Sequence, residues 1–246
     1  MSNPKKRSAE TAPPPKKNKK RKTKSHPEDE ALDTDLGLNT LFARMDNQLL
    51  ADHLTQKTKR FGSDLSPVEL SDLTVPASCI QDTSSWQENR TLEHFPAFLE
   101  AFTQDPESLS RPSKKNGSPH TLIVAGAGLR AADIVRAARK FSSKDNAVAK
   151  LFAKHIKVEE QVAFLTSRKT GIGVGTPARL MELIDNGALS LRKLQRVVVD
   201  ASHIDQKKRG VLDMKDTMLP LARFLTREEL RSRYDAEKKP LALLFY

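Results

Sequence analysis

The chain is predicted to be an α/β protein: a mostly parallel sheet with helices on both faces, plus a disordered basic extension at the amino terminus. Three observations predict this. Short apolar runs such as Thr121-Leu122-Ile123-Val124-Ala125 and Arg196-Val197-Val198-Val199-Asp200 are of the continuous kind that strands buried on both faces require. Helical periodicity separates these runs, which implies crossover connections and hence parallel strands. Charge is also segregated. Residues 1–25 hold ten lysines and arginines against one acid, Glu10, so nine of the eleven net positive charges lie there. The rest of the chain is nearly neutral, with 32 basic and 30 acidic residues.

The elements follow in order. The clusters Lys5-Lys6-Arg7 and Lys16-Lys17-Asn18-Lys19-Lys20-Arg21-Lys22 flank a spacer containing Pro13, Pro14 and Pro15. With nothing to bury and only like charges to approach, residues 1–35 are expected to be disordered. The two clusters read as a nuclear-import signal and as a non-specific polyanion binder. In residues 36–60, Leu38, Leu41, Phe42, Met45, Leu49 and Leu54 recur near a 3.6 period and predict an amphipathic helix outside the main domain, which is assigned to residues 61–246. Ser66, Pro67 and Glu69 form a helix start with a capping box.

The run at 121–125 predicts a strand, a turn at Gly126-Ala127-Gly128, and a helix through Leu129, Ile134, Val135 and Ala138. Residues 147–154 suit helix and strand equally. Residues 158–165 read as helix and 171–175 as a glycine-alternating strand. Thr176 is then placed as an N-cap, Pro177 at the first helical position and Gly187 at the carboxyl cap. A strand at 196–200 and another at 241–245 complete the sheet.

Several classes are excluded. Cys79 is the single cysteine, so an intramolecular disulfide and a cysteine-based zinc site are both ruled out, which suits a reducing compartment. No apolar run approaches the roughly 20 residues that span a bilayer, and the charged amino terminus lacks a secretory signal's apolar core, so a soluble intracellular protein without membrane contact is expected. None of the ten glycines is followed by lysine, which argues against a phosphate-gripping nucleotidase loop. The string from Gly126 to Ala131 matches the looser dinucleotide pattern G-x-G-x-x-A, yet Ala153-Lys154-His155 stands where the ribose-binding acid is required. A nucleotide- or dinucleotide-binding enzyme using that turn is the alternative reading. Asp200 at a strand end offers one carboxylate and no ligand set. Ser202 and His203 are adjacent on a strand and point apart, so they form no catalytic dyad. Neither a catalytic residue, a metal, a cofactor nor a small-molecule substrate is expected.

Thr176-Pro177-Ala178-Arg179, followed by a helix and then Val197-Val198-Val199-Asp200-Ala201-Ser202-His203, resembles the first RecA-like lobe of DEAD-box RNA helicases, with their Thr-Pro-Gly-Arg and Asp-Glu-Ala-Asp motifs. Ala201 stands in place of the glutamate that positions the attacking water, and His203 in place of the last aspartate. The chain ends at Leu243-Leu244-Phe245-Tyr246, where Ser-Ala-Thr would follow, so one lobe is expected. Leu151-Phe152-Ala153-Lys154-His155-Ile156-Lys157-Val158, Gly173-Val174-Gly175-Thr176-Pro177 and Asp205-Gln206-Lys207-Lys208 are similar to the helicase-like assembly-factor family of the small-subunit processome, the 90S pre-ribosome.

That resemblance implies a degenerate RecA-like domain over residues 61–246, nuclear and nucleolar localisation, and a non-catalytic scaffold role in small-subunit rRNA maturation. Its partners would be pre-rRNA or small nucleolar RNA and processome proteins. Carried over by motif position, Thr176, Pro177 and Arg179 are the RNA- or partner-facing set, with Lys154, His155 and Lys157 on the adjacent strand end.

Overall fold

The computed structural model describes residues 31–237 and 240–246. The import-signal clusters lie outside the described residues. A short antiparallel pair, β1 (Leu32–Asp33) and β2 (Leu38–Asn39), leads through a 3-10 turn to α1 (Asn47–Phe61). Asp46 caps α1, its side chain accepting from the Leu49 amide at 2.9 Å. α2 (Pro67–Asp72) begins with the expected capping box: the Ser66 hydroxyl accepts from the Glu69 amide, and the Glu69 carboxylate accepts from the Ser66 amide. α3 (Phe95–Ala101) precedes β3 (Thr121–Val124), α4 (Gly128–Ala137), β4 (Ala149–Leu151), α5 (Val158–Ser167), β5 (Ile172–Gly175) and α6 (Pro177–Asp185). Gly187 ends α6 at φ +78°, the left-handed conformation that glycine adopts without strain. β6 (Arg196–Val199), α7 (Lys215–Leu225), α8 (Glu228–Tyr234) and β7 (Ala242–Phe245) complete the chain.

β4, β5, β3, β6 and β7 form, in that order, one parallel sheet. Side chains alternate between two apolar layers, as strand geometry dictates. Leu122, Val124, Val197, Val199, Leu243 and Phe245 pack with α1, α6, α7 and α8. Ile123, Ile172, Val174, Val198 and Leu244 pack with α3 and α4. Helices therefore cover both faces, and β7 is not left as an open edge: the Gln81 amide donates to Leu243 O at 2.8 Å, and Arg90 Nη1 donates to Phe245 O at 2.6 Å.

Two expectations are corrected. The segment at 36–60 is not a separate helix. Its helix starts at Asn47, because Leu38 lies in a strand and Leu41 and Phe42 lie in the 3-10 turn capped by Asn39. Leu38, Phe42 and Leu54 are buried from these different elements, whereas Leu49 is left exposed. Leu50, Ala51 and Leu54 of α1 enter the core, and buried Lys57 meets Asp213 at 2.7 Å. Among the described residues the packed domain therefore includes 31–60 as well as 61–246, so residues 31–35 are not part of a disordered tail. Residues 215–234 also form two helices without a sequence signal strong enough to announce them, since Pro220 interrupts the pattern of α7. Burial of Met218, Leu219, Leu221 and Ala222 around that proline overrides propensity.

Candidate functional site

In an open parallel sheet the ligand-binding side is the carboxyl end of the strands. Asp200 ends β6 there, and its carboxylate is already engaged. Arg130 of α4 reaches it with Nε at 2.9 Å from Oδ2 and Nη2 at 2.8 Å from Oδ1. The side chains are only 10% and 1% exposed, so this is a buried bidentate pair. Burial works against the Arg130 charge, but Asp200 beside it outweighs that and holds the guanidinium protonated above its ordinary range. Both oxygens of Asp200 are committed within the fold. No sequence pattern announced this contact, because its partners stand seventy positions apart. Arg130 on an otherwise apolar helical face is the signal that could have suggested it.

The loop after β6 is also covered. The Asn39 amide donates to Ser202 O at 2.7 Å, and the Ile204 amide donates to Gly37 O at 2.9 Å. Ala201 is buried, its amide donating to Tyr246 O at 2.8 Å. His203 sits under this strap, where burial, with the Arg130 charge adding, lowers its pKa. Among the described residues, no three His, Cys, Asp or Glu side chains converge as metal ligands would.

The turn at 126–131 is used for close packing. A Cβ at Gly126 would stand 3.2 Å from Val211, and one at Gly128 would stand 3.1 Å from Lys154 Cβ. The glycines admit neighbouring chain at the positions where a pyrophosphate-binding turn admits its ligand.

The three residues carried over by motif position and the three expected beside them on the adjacent strand end are brought together at the ends of β4 and β5. The Thr176 amide donates to Leu151 O at 3.3 Å. Thr176 occupies the N-cap of α6, but its side chain makes no capping bond, and Pro177 is buried. Arg179 is turned inward. Its Nη1 donates to Gln161 Oε1 at 2.7 Å and to Ile156 O at 3.2 Å, and its Nε lies 2.8 Å from Glu182 Oε2. Gln161 in turn donates to Lys150 O and Phe152 O. Arg179 thus fastens the turn at 153–157 to the end of β4. On that turn Lys154, His155 and Lys157 are exposed, and His155 adopts φ +55°.

Fold and edge together define a class: a single doubly wound α/β lobe whose acidic strand end is sealed by its own arginine and its own amino-terminal strap. The model of the CMS1 family, described as a U3-containing 90S pre-ribosomal complex subunit, matches residues 1–246, and the chain belongs to that family. This is the processome family that the sequence strings at 151–158, 173–177 and 205–208 resembled. Protein CMS1 of Chaetomium thermophilum is 59% identical over 244 residues, covering 99% of this chain and 97% of that one. Protein cms1 of Schizosaccharomyces pombe is 32% identical over 190 residues, covering 77% and 66%. Human Protein CMSS1 is 34% identical over 149 residues, covering 61% of this chain and 51% of that one. Among solved structures, the RNA helicase Prp28 from Chaetomium thermophilum has a TM-score of 0.39 at 22% identity, covering 79% and 42%. A DEAD box protein from Methanococcus jannaschii has a TM-score of 0.39 at 18% identity, covering 64% and 37%.

Proposed function

We propose that this chain is a non-catalytic assembly factor of the nucleolar small-subunit pre-ribosome, supporting rRNA maturation through contacts with RNA and with processome proteins. The buried Arg130–Asp200 pair carries the non-catalytic part of this reading. In phosphoryl transfer a strand-end carboxylate holds the metal that neutralises phosphate charge. Here that carboxylate is neutralised by a fixed guanidinium, and recruiting it to a metal would leave Arg130 buried and unpaired. Val211 and Lys154 close on the glycine turn, which removes the support for a dinucleotide enzyme. The basic residues of 1–25 serve nuclear import. The exposed turn with Lys154, His155 and Lys157 is the RNA- or partner-facing part of the carboxyl edge, and Arg179 maintains its shape.

The test is thermal unfolding of the full chain with ATP, ADP or nicotinamide dinucleotides at millimolar concentration with magnesium. A ligand at a hundred times its dissociation constant adds roughly 2.7 kcal/mol. No shift is expected, and a saturable shift with any of these ligands overturns the non-catalytic reading.

A further inference from the structure

The amino-terminal edge of the sheet, opposite the strand ends discussed above, carries a concentration of unpaired positive charge. Six exposed cations stand on the four loops that enter adjacent strands: Lys144 before β4, Arg168 and Lys169 before β5, Lys115 before β3, and Arg192 and Lys193 before β6. All six line two surface cavities of about 370 and 550 Å³ on this edge, which share Asn116 as a lining residue. None of the six makes a side-chain hydrogen bond or ion pair among the described residues. Other cations are spent on internal pairs, as at Arg130, Arg179 and Arg227, while exposed Lys154 and Lys157 stand on the opposite, carboxyl edge. Of the acids lining the two cavities, Asp145 stands beside Lys144, while Glu229 is committed to Arg227 at 2.9 Å. Beneath the edge, Arg196 is buried with its Nη1 donating to the Thr121 hydroxyl at 2.9 Å, and no carboxylate lies within ion-pair distance of it among the described residues.

The loops that hold these cations are tied together. Asn146 donates to Ser110 O at 2.9 Å and accepts from the Gly171 amide at 2.8 Å. Asn116 donates to Thr166 O at 2.7 Å. The Ser190 amide donates to Gly117 O at 2.7 Å. The loop backbones that carry the charges are therefore held in place before any partner arrives, which lowers the backbone part of the ordering cost of binding.

We infer that this surface along the amino-terminal sheet edge binds the phosphate backbone of RNA without reading its sequence. Three strand intervals of about 4.8 Å spread the cations over roughly 14 Å, a row suited to successive phosphates along one strand. None of the lining residues is aromatic, so bases have no stacking platform, and the contacts are of the positioning kind. The inference rests on the RNA-contact part of the proposed function but places that contact on a different edge.

The experiment uses the full chain and a fluorescein-labelled single-stranded RNA, with affinity measured against salt. Lys144→Gln/Lys169→Gln/Lys193→Gln is compared with Lys154→Gln/Lys157→Gln on the carboxyl edge, and unchanged melting confirms the fold of each. Each lost phosphate contact flattens the log–log salt slope by about 0.7, so the triple variant should flatten it by about 2, equally for all base compositions. Photocrosslinks should fall in peptides 111–118, 142–150, 166–171 and 190–196. A slope unchanged in the triple variant overturns the inference, because the tail or another surface then makes the contacts. If only the Lys154/Lys157 variant flattens the slope, the amino-edge surface fails while the carboxyl-edge reading stands. Loss of binding to an acidic polypeptide with RNA binding intact assigns the surface to a protein partner and equally overturns the inference.

Discussion

Asp200→Asn is the most informative single substitution. If Asp200 were an idle relic of a metal site, the change would be silent in a folded protein. The structure gives the opposite expectation for stability. The carboxamide keeps the volume but loses the charge, leaving the Arg130 guanidinium with a side chain only 10% exposed and no counter-ion. Removing one partner of a buried pair costs about 3–5 kcal/mol, because the desolvated charge left behind has lost its compensation. For a chain of this size each kcal/mol lowers Tm by about 2–4 °C, so a fall on the order of 10 °C is expected. Urea unfolding followed by circular dichroism should show a lower midpoint at unchanged slope. Arg130→Met and Asp200→Leu, each made alone, should destabilise comparably. The double variant Arg130→Met/Asp200→Leu should recover most of the loss, since well-packed apolar side chains replace buried pairs at little cost. A coupling energy below about 0.5 kcal/mol in this cycle would refute the reasoning, as would an Asp200→Asn protein of full stability.

Three further outcomes are expected. His120 is buried, and its bonds define its tautomer: Nε2–H donates to Arg111 O, while Nδ1 accepts from the Thr121 hydroxyl, itself accepting from Arg196. Burial and the Arg196 charge lower its pKa from 6.5 to about 4, so the unfolded chain takes up a proton there first; stability is full above about pH 6.5 and falls by roughly 3 kcal/mol towards pH 4. Urea midpoints at pH 7 and pH 5 check this, and His120→Gln should remove that part of the slope. Ser66→Ala should cost about 1 kcal/mol through the lost capping box, whereas Thr176→Ala should cost only a few tenths because its side chain caps nothing, as paired melting curves would show. Deleting residues 1–25 should disperse a fluorescently tagged protein from the nucleus while leaving its melting temperature intact, and retained nucleolar signal would remove the import role from the tail.

The sequence by itself determined the α/β class, the strands at 121–125, 171–175, 196–200 and 241–245, the capping box at Ser66 and the terminating Gly187. Each depends on residues close together in the chain: β-branched runs, glycine at a positive φ, a hydroxyl three positions before a glutamate. The family was legible for a related reason, since strings such as Leu151-Phe152-Ala153-Lys154-His155 keep their order whatever they pack against. Tertiary structure decided the rest. That β4 is a strand follows from its pairing with β5, and that residues 31–61 belong to the domain follows from the bonds of β2 to the loop after β6 and from burial of α1 against α7. Arg179 looks free in the sequence and is consumed by Gln161 and Glu182, while Lys144, Arg168 and Lys193, scattered along the chain, are brought onto one edge of the sheet. Whether a charge is spent inside the fold or left for a partner depends on which distant groups come within about 3–4 Å of it, and no local pattern encodes that distance.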